Sequence, residues 1–367
     1  MNTAGQNFKR LFRSLLQPTF WLMVVVALTG ASLFAWWQTP LPWLLGPLLS
    51  VAVVRVAGVR MTCPVPIRSA GQWVIGVALG LYFTPAVFAQ MGTLWWALLA
   101  GLVWAWIISL LFAAVLHRFG GLDPVSAFFA GAVGGASEMA IQSERHQAHV
   151  EVVVAIHSLR VLIVVVSLPF AYRLLDLHGA DSSLVERINV VAPGGLVALM
   201  ALTVGAALVF QRMRSPNAWM LGPLLVTIFL TANDWNLSAL PEAVIKAGQV
   251  FIGMSLGSRF RPESMRRLRS IALLVIVASF GLILLSSGFA AVLASLLDIP
   301  WATMVLATSP GGIAEMSLTA KLLHLGVPVV TVFHVTRLAF ILITVGPVFN
   351  WLAARYHWVM PGRSLPL

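Results

Sequence analysis

Gly134-Gly-Ala-Ser-Glu-Met139 returns, about 177 residues later, as Gly311-Gly-Ile-Ala-Glu-Met316. Each copy sits inside an otherwise apolar stretch. Paired glycines there lower the cost of a backbone turn, and Pro310 brings no amide donor to continue a helix. Further segments recur at nearly the same offset. Trp43-Leu-Leu-Gly-Pro-Leu-Leu49 returns as Trp219-Met-Leu-Gly-Pro-Leu-Leu225. Ala70-Gly-Gln-Trp-Val-Ile-Gly-Val-Ala-Leu-Gly80 returns as Ala247-Gly-Gln-Val-Phe-Ile-Gly-Met-Ser-Leu-Gly257, and His157-Ser-Leu-Arg160 as His334-Val-Thr-Arg337. The chain is therefore read as a duplication, with repeats 1–187 and 188–367.

The 367 residues are 59% hydrophobic and only 10% charged, with mean hydropathy +0.93. Apolar runs near 20 residues, each enough for a hydrocarbon core of roughly 30 Å, recur along the chain. The reading is an all-α polytopic membrane protein. The net charge of +11 does not point to nucleic acid. Arg10, Arg13, Arg55, Arg60 and the group from Arg259 to Arg269 stand at the ends of apolar runs, where cytoplasmic loops hold positive charge. Cys63 is the single cysteine, which excludes an intramolecular disulfide and a Cys-based metal centre. Lys9, Arg10 and Arg13 resemble the start of a signal peptide. The apolar run after them is long for a signal core and leads straight into further spans, so it is read as the first transmembrane helix.

Loop charge sets the orientation. Apolar segments fall near 19–38, 41–57, 68–84, 92–116, 123–142 and 149–175, then near 190–210, 217–232, 243–257, 270–296, 300–321 and 327–354. In the first copy the connection after the first segment is uncharged and the next carries Arg55, Arg60 and Arg68. In the second copy the phase is opposite: Arg212 and Arg214 follow the first segment, none follows the second, and Arg259, Arg261, Arg266, Arg267 and Arg269 follow the third. Lys246 alone runs against the pattern. Opposite phase means inverted topology, which requires an odd number of crossings per repeat. The segments broken at Gly134-Gly135 and at Pro310-Gly311-Gly312 are the ones that fail to cross. Each half of such a segment has about ten residues, or roughly 15 Å of helix. The expectation is ten transmembrane helices plus two re-entrant hairpins, with 176–187 as a periplasmic linker and both termini cytoplasmic.

Arg160 and Arg337 lie near the centres of their apolar runs, where a charge costs about 2.5–3.5 kcal/mol on insertion scales. His157 and His334 stand three residues earlier, on the same helical faces. Glu138 and Glu315 follow the double glycines at the hairpin tips. Two readings remain open. In one, open amides after Gly135 and Gly312, the arginine forks and Ser309 hold an anionic group, and Glu138, Glu315, His157 and His334 carry protons. In the other, each glutamate neutralises its own arginine and staples a hairpin to the next helix. The small-xxx-small glycines 71, 76, 80, 248, 253 and 257 are expected to let helices approach closely. His146 and His149, three apart, have no acidic partner repeated with them, so neither a metal nor a cofactor is expected.

At the two Gly-Gly-x-x-Glu-Met segments and the Gly-Pro repeats, the chain resembles the bacterial AbrB-type duplicated membrane protein family, which is distinct from the small soluble transition-state regulator of that name. The resemblance covers nearly the whole chain. It implies a bacterial inner-membrane protein with two homologous halves, of a kind labelled regulators of gene expression or ammonia monooxygenases. Pro310 through Met316 fits the family pattern, whereas Val133 stands where the first copy would have its proline.

The first functional expectation is a secondary transporter of a small anionic solute working by alternating access, coupled to protons or alternatively to sodium. The partners are then the solute and the lipid bilayer, with a homodimer left open. A membrane-embedded sensor or regulator is the alternative, and a membrane oxidase the third. The chain has no His-Glu-x-x-His motif, so an enzyme is not expected.

Overall fold

The computed structural model describes residues 17–179, 190–356 and 358. Lys9, Arg10, Arg13, Arg363 and most of the 176–187 linker lie outside the described residues. Those described form helices and connections, with no strand among them. The first half gives α1 (Pro18–Trp36), α2 (Pro42–Val56), α3 (Val65–Gly80), α4 (Pro85–Met91), α5 (Trp95–Gly120), α6 (Pro124–Gly131), α7 (Ala136–Arg145) and α8 (Val150–Leu174). The second gives α9 (Pro193–Arg212), α10 (Ala218–Ala232), α11 (Glu242–Gly257), α12 (Pro262–Leu268), α13 (Ala272–Leu297), α14 (Trp301–Thr308), α15 (Ile313–Leu322) and α16 (Val327–Tyr356). Most corresponding helices match in length, with 15 residues in both α2 and α10, 26 in α5 and α13, 8 in α6 and α14, and 10 in α7 and α15, whereas α8 has 25 and α16 has 30.

Proline punctuates the starts, at Pro18, Pro42, Pro85, Pro124, Pro193 and Pro262. Its fixed φ suits a first turn, and its missing donor is one that the helix could not have used. Asp123 caps α6 by accepting the Ser126 amide at 2.8 Å.

Among the described residues, six helical stretches are long and apolar enough to cross a membrane: Pro18–Trp36, Pro85–Gly120, Val150–Leu174, Pro193–Arg212, Ala272–Leu297 and Val327–Tyr356. The sequence reading also counts α2, α3, α10 and α11 as crossings. At 15 or 16 residues these are about 22–24 Å long.

The chain divides into two compact units, Met1–Gln90 with Asp181–Pro262, and Met91–Ala180 with Glu263–Leu367. Each unit draws corresponding helices from both halves of the chain. The first gathers α1–α3 and α9–α11; the second gathers α5–α8 and α13–α16. The folded units thus cut across the two sequence copies.

In the first unit, α3 packs on α10 as α11 packs on α2. A Cβ on Gly76 would fall 2.5 Å from the Met220 carbonyl, and one on Gly253 would fall 2.5 Å from the Leu44 carbonyl. Gly71 lies against the Gly248 carbonyl in the same fashion, at 3.0 Å. The small-residue spacing read from the sequence therefore serves close backbone approach. Gln72, next to Gly71 on α3, donates to Asn217 Oδ1 at 3.1 Å.

In the second unit, both double-glycine segments break. α6 ends at Gly131 and α7 starts at Ala136; α14 ends at Thr308 and α15 starts at Ile313. The chain then doubles back. The His149 amide, just beyond α7, donates to Ser126 Oγ at the start of α6 (2.9 Å), and the Gly326 amide beyond α15 donates to Thr303 Oγ1 at the start of α14 (3.3 Å). Around these hairpins α5 packs on α16 as α13 packs on α8. The surrounding core includes Phe112, Phe129, Ile156, Ile341 and Phe349.

Candidate functional site

A helix that stops inside an apolar core exposes its last carbonyls and the next helix exposes its first amides, and each orphan left unpaired is costly there. The carbonyl side is met by the His-x-x-Arg motifs. Arg160 on α8 donates through Nη1 to the carbonyls of Gly131 (3.1 Å) and Ala130 (3.4 Å), and through Nη2 to Ala132 (3.3 Å). His157, one turn earlier, places Nε2 3.1 Å from the Ala132 carbonyl and Nδ1 3.0 Å from that of Val153. On α16, Arg337 donates through Nη1 to the Ser309 carbonyl at 2.7 Å and through Nη2 to that of Gly311. His334 Nε2 lies 2.9 Å from the Leu306 carbonyl. Each arginine is a cation at the carbonyl end of a half-helix, the favourable end of its dipole.

The glutamates stand at the amide side. Gly135 and Gly312 are the N-cap residues of α7 and α15, so Glu138 and Glu315 occupy the third helical position. A Cβ on Gly135 would run into Glu138 Oε2, and one on Gly312 into Glu315 Oε2. Both carboxylates fold back over their own cap glycines, the side from which a third-position glutamate serves a helix start. Two sequence-based readings change accordingly. The amides after the double glycines have the chain's own carboxylates beside them, where the sequence reading set an open site for a ligand. The glutamate–arginine staple does not form either: among the described residues neither guanidinium makes an ion pair. The spacing from glycine to glutamate decides both points, because it fits the carboxylate to its own helix end.

Val133, where the first copy lacks proline, does not prevent the break. Its amide donates to Ser109 Oγ on α5 at 2.9 Å. Pro310 has no amide to satisfy, and the corresponding Ser286 on α13 instead accepts from Trp104 Nε1 at 3.4 Å. Sequence reasoning passed over Ser109 and Ser286, although they recur at the repeat offset inside apolar helices. It also passed over Phe112, whose ring lies 5.6 Å from the Arg160 guanidinium carbon, a cation–π contact.

The hairpin residues differ in burial. Arg160 is 1% exposed, Arg337 and Glu315 are 7% exposed, and His157, His334 and Ser309 are fully buried, while Glu138 is half-buried. Gly134 packs on Met139, and Pro310 and Gly311 are buried, with Gly311 against Met316. Ser309 Oγ donates to the Val305 carbonyl, and Ser317 accepts from Thr331 at 3.0 Å. Three buried nitrogens make no hydrogen bond: Nε of Arg160, Nε of Arg337 and Nδ1 of His334. The two guanidinium charges are close enough to repel one another. The arrangement presents two buried cations, partly balanced by carbonyl dipoles, with donors still unused.

His146 and His149 go to separate partners. His146 lies on the Phe349 ring (4.4 Å between centroids), and His149 Nε2 is 3.9 Å from Asp123 Oδ2. No group of three or more His, Cys, Asp or Glu side chains gathers among the described residues.

Comparison with known proteins gives a family and two relatives. The family profile described as "Transition state regulatory protein AbrB" matches residues 43–353. The uncharacterized protein YhjN of Bacillus subtilis (strain 168) is 26% identical over 89% of each chain. An Escherichia coli (strain K12) protein carrying the provisional name of regulator AbrB is 25% identical, over 89% of this chain and 92% of its own. No solved structure matches the chain.

Proposed function

The chain belongs to the AbrB family, and from that premise we propose that it is a secondary transporter of a small anionic solute in the bacterial inner membrane. It has two inverted repeats, 1–187 and 188–367, with ten crossings, two hairpins re-entering from opposite faces, and both termini cytoplasmic. The matched helix lengths and the doubling-back of both broken segments support this arrangement. So does the alternation of loop arginines. Lys246, the one exception, is paired with Glu242 at 2.9 Å and so adds little net charge to its side. Transport proceeds by alternating access, with proton or sodium coupling and no chemical step on the solute.

The observation that carries the reading is the pair of buried guanidinium groups whose hydrogen bonds all go to backbone carbonyls, each with an unused Nε. An ion taken from water into a protein interior costs several kcal/mol. A half-helix end contributes only about half a negative charge against it. An anionic solute is the complement of what remains. The test is a thermal-shift screen of purified protein against small carboxylates and inorganic phosphate, followed by uptake into proteoliposomes of whichever anion stabilises. Arg337→Ala is expected to reach the membrane and to lose uptake. Wild-type turnover by Arg337→Ala and Arg160→Ala refutes the site.

A second reading, a membrane-embedded regulator that senses the same anion, is favoured by the names of the family profile and of the Escherichia coli relative. It predicts anion binding with no net flux in sealed vesicles.

A further inference from the structure

His334 and Arg337 stand one turn apart on the same face of α16, and each holds an unused buried nitrogen. The state of the ring follows from its surroundings. Nε2 faces the Leu306 carbonyl at 2.9 Å, and a carbonyl only accepts, so Nε2 carries the hydrogen. Nδ1 therefore presents a bare lone pair, in a residue with no exposed surface. The corresponding histidine of the first copy differs, since both ring nitrogens of His157 lie on carbonyls. An unused acceptor on His334 and an unused donor on Arg337 thus stand one turn apart on one helix face, a pairing absent from the first copy.

Resting on the anionic-solute reading, we propose that His334 Nδ1 is the coupling site, taking up one proton together with each anion that binds at Arg337 Nε. The surrounding charges make the two events a pair. A proton on Nδ1 adds a positive charge beside Arg337, whose own charge already acts on the ring and which in turn feels Arg160. An anion on Arg337 Nε removes that repulsion and gives the new N–H a partner. The other titratable groups on the packed elements do not replace this pairing. α14 contributes none. α15 contributes Glu315, folded over its own cap glycine, and Lys321 at its far end; α5 contributes His117 and Arg118, also at its far end. Balanced uptake of one anion and one proton leaves the net charge of the buried region unchanged. The ligand is therefore a monoanionic oxyanion accompanied by a proton, of the carboxylate or dihydrogen-phosphate class. Glu138 and Glu315 serve as helix caps rather than as the proton carriers.

The test is calorimetry on the purified full-length protein, with acetate and inorganic phosphate as probes, in buffers of different ionisation enthalpy. The wild-type protein is expected to take up about one proton per anion at a pH where the free ring is neutral. His334→Gln keeps an amide donor for the Leu306 carbonyl, so it is expected to bind the anion with no linked proton and a flat pH dependence. His157→Gln is expected to keep the linkage, and Arg337→Ala to lose anion binding. Linked uptake that persists in His334→Gln overturns the assignment while leaving the anion site standing. If neither probe binds the wild-type protein, both readings fall together. Should His334→Gln not fold, nitrogen-15 spectra of histidine-labelled wild-type protein decide. One ring converting from a single tautomer to imidazolium when acetate or phosphate is added supports the assignment, and no conversion refutes it.

Discussion

Ser109→Ala isolates the device that lets a break form without proline. Ser109 is 1% exposed and Val133 3%, so water cannot replace the lost acceptor. The variant strands the Val133 amide, and a buried unsatisfied donor costs about 1–3 kcal/mol. Side-chain hydrogen bonds in membrane proteins average nearer 0.6 kcal/mol in double-mutant cycles, with a maximum of about 1.7. The expected loss is therefore about 1–2 kcal/mol, a factor of about 5–30 in the folded-to-unfolded ratio. The second copy supplies the rescue. Val133→Pro removes the amide itself, and Ala132 already has ψ 130°, close to the 149° of Ser309 before Pro310. Ser109 keeps its own donation to the Ala105 carbonyl at 2.6 Å, so Val133→Pro alone is expected to cost little. Reversible denaturant unfolding in detergent measures the cycle. Adding Val133→Pro to Ser109→Ala should recover most of the loss, a coupling of about 1 kcal/mol or more. Additive losses would show that the Ser109–Val133 bond is not what holds this break.

The cap assignment makes Gly312→Ala and Glu315→Ala alternative ways of losing one interaction. Each is expected to cost about 0.5–2 kcal/mol, and the double variant no more than the larger single loss; thermal unfolding in detergent measures this, and full additivity contradicts it. In the first unit, Gly76→Ala and Gly253→Ala press a methyl onto rigid backbone carbonyls. Each is expected to cost about 1–3 kcal/mol, whereas Gly205→Ala, with nothing within 4 Å of its Cβ, should be neutral in the same assay. Burial pushes the Cys63 thiol, between α2 and α3, up to about 11, against the lowering by Arg68 and Arg259. Thiolate is the reactive form, so maleimide labelling at pH 8 should run about a hundredfold slower than for an ordinary thiol and climb until the pH nears 11. Ordinary rates at pH 8 contradict the burial of that thiol.

The two breaks were legible because glycine pairs and proline act locally. The segments read as 123–142 and 300–321 fold as α6–α7 and α14–α15, with the interruption at the glycines. The partners of Glu138 and Glu315 were partly legible, since glycine to glutamate at three residues is a capping spacing. That signal was outweighed by the attraction of each carboxylate for a nearby arginine. Ser109 and Ser286 were visible only as matching serines within apolar helices, and nothing local said which group they would meet.

Hydropathy and helix breakers are properties of neighbours along the chain, and they were enough for an all-helical chain with two interruptions. The tertiary structure decided who satisfies whom. Arg160 reaches carbonyls 28 to 30 residues before it, Arg337 those 26 and 28 before it, and the compact units mix the two copies. In an apolar interior every exposed amide and carbonyl needs a partner. The chain announces where such groups arise, but only packing brings the helix that answers them.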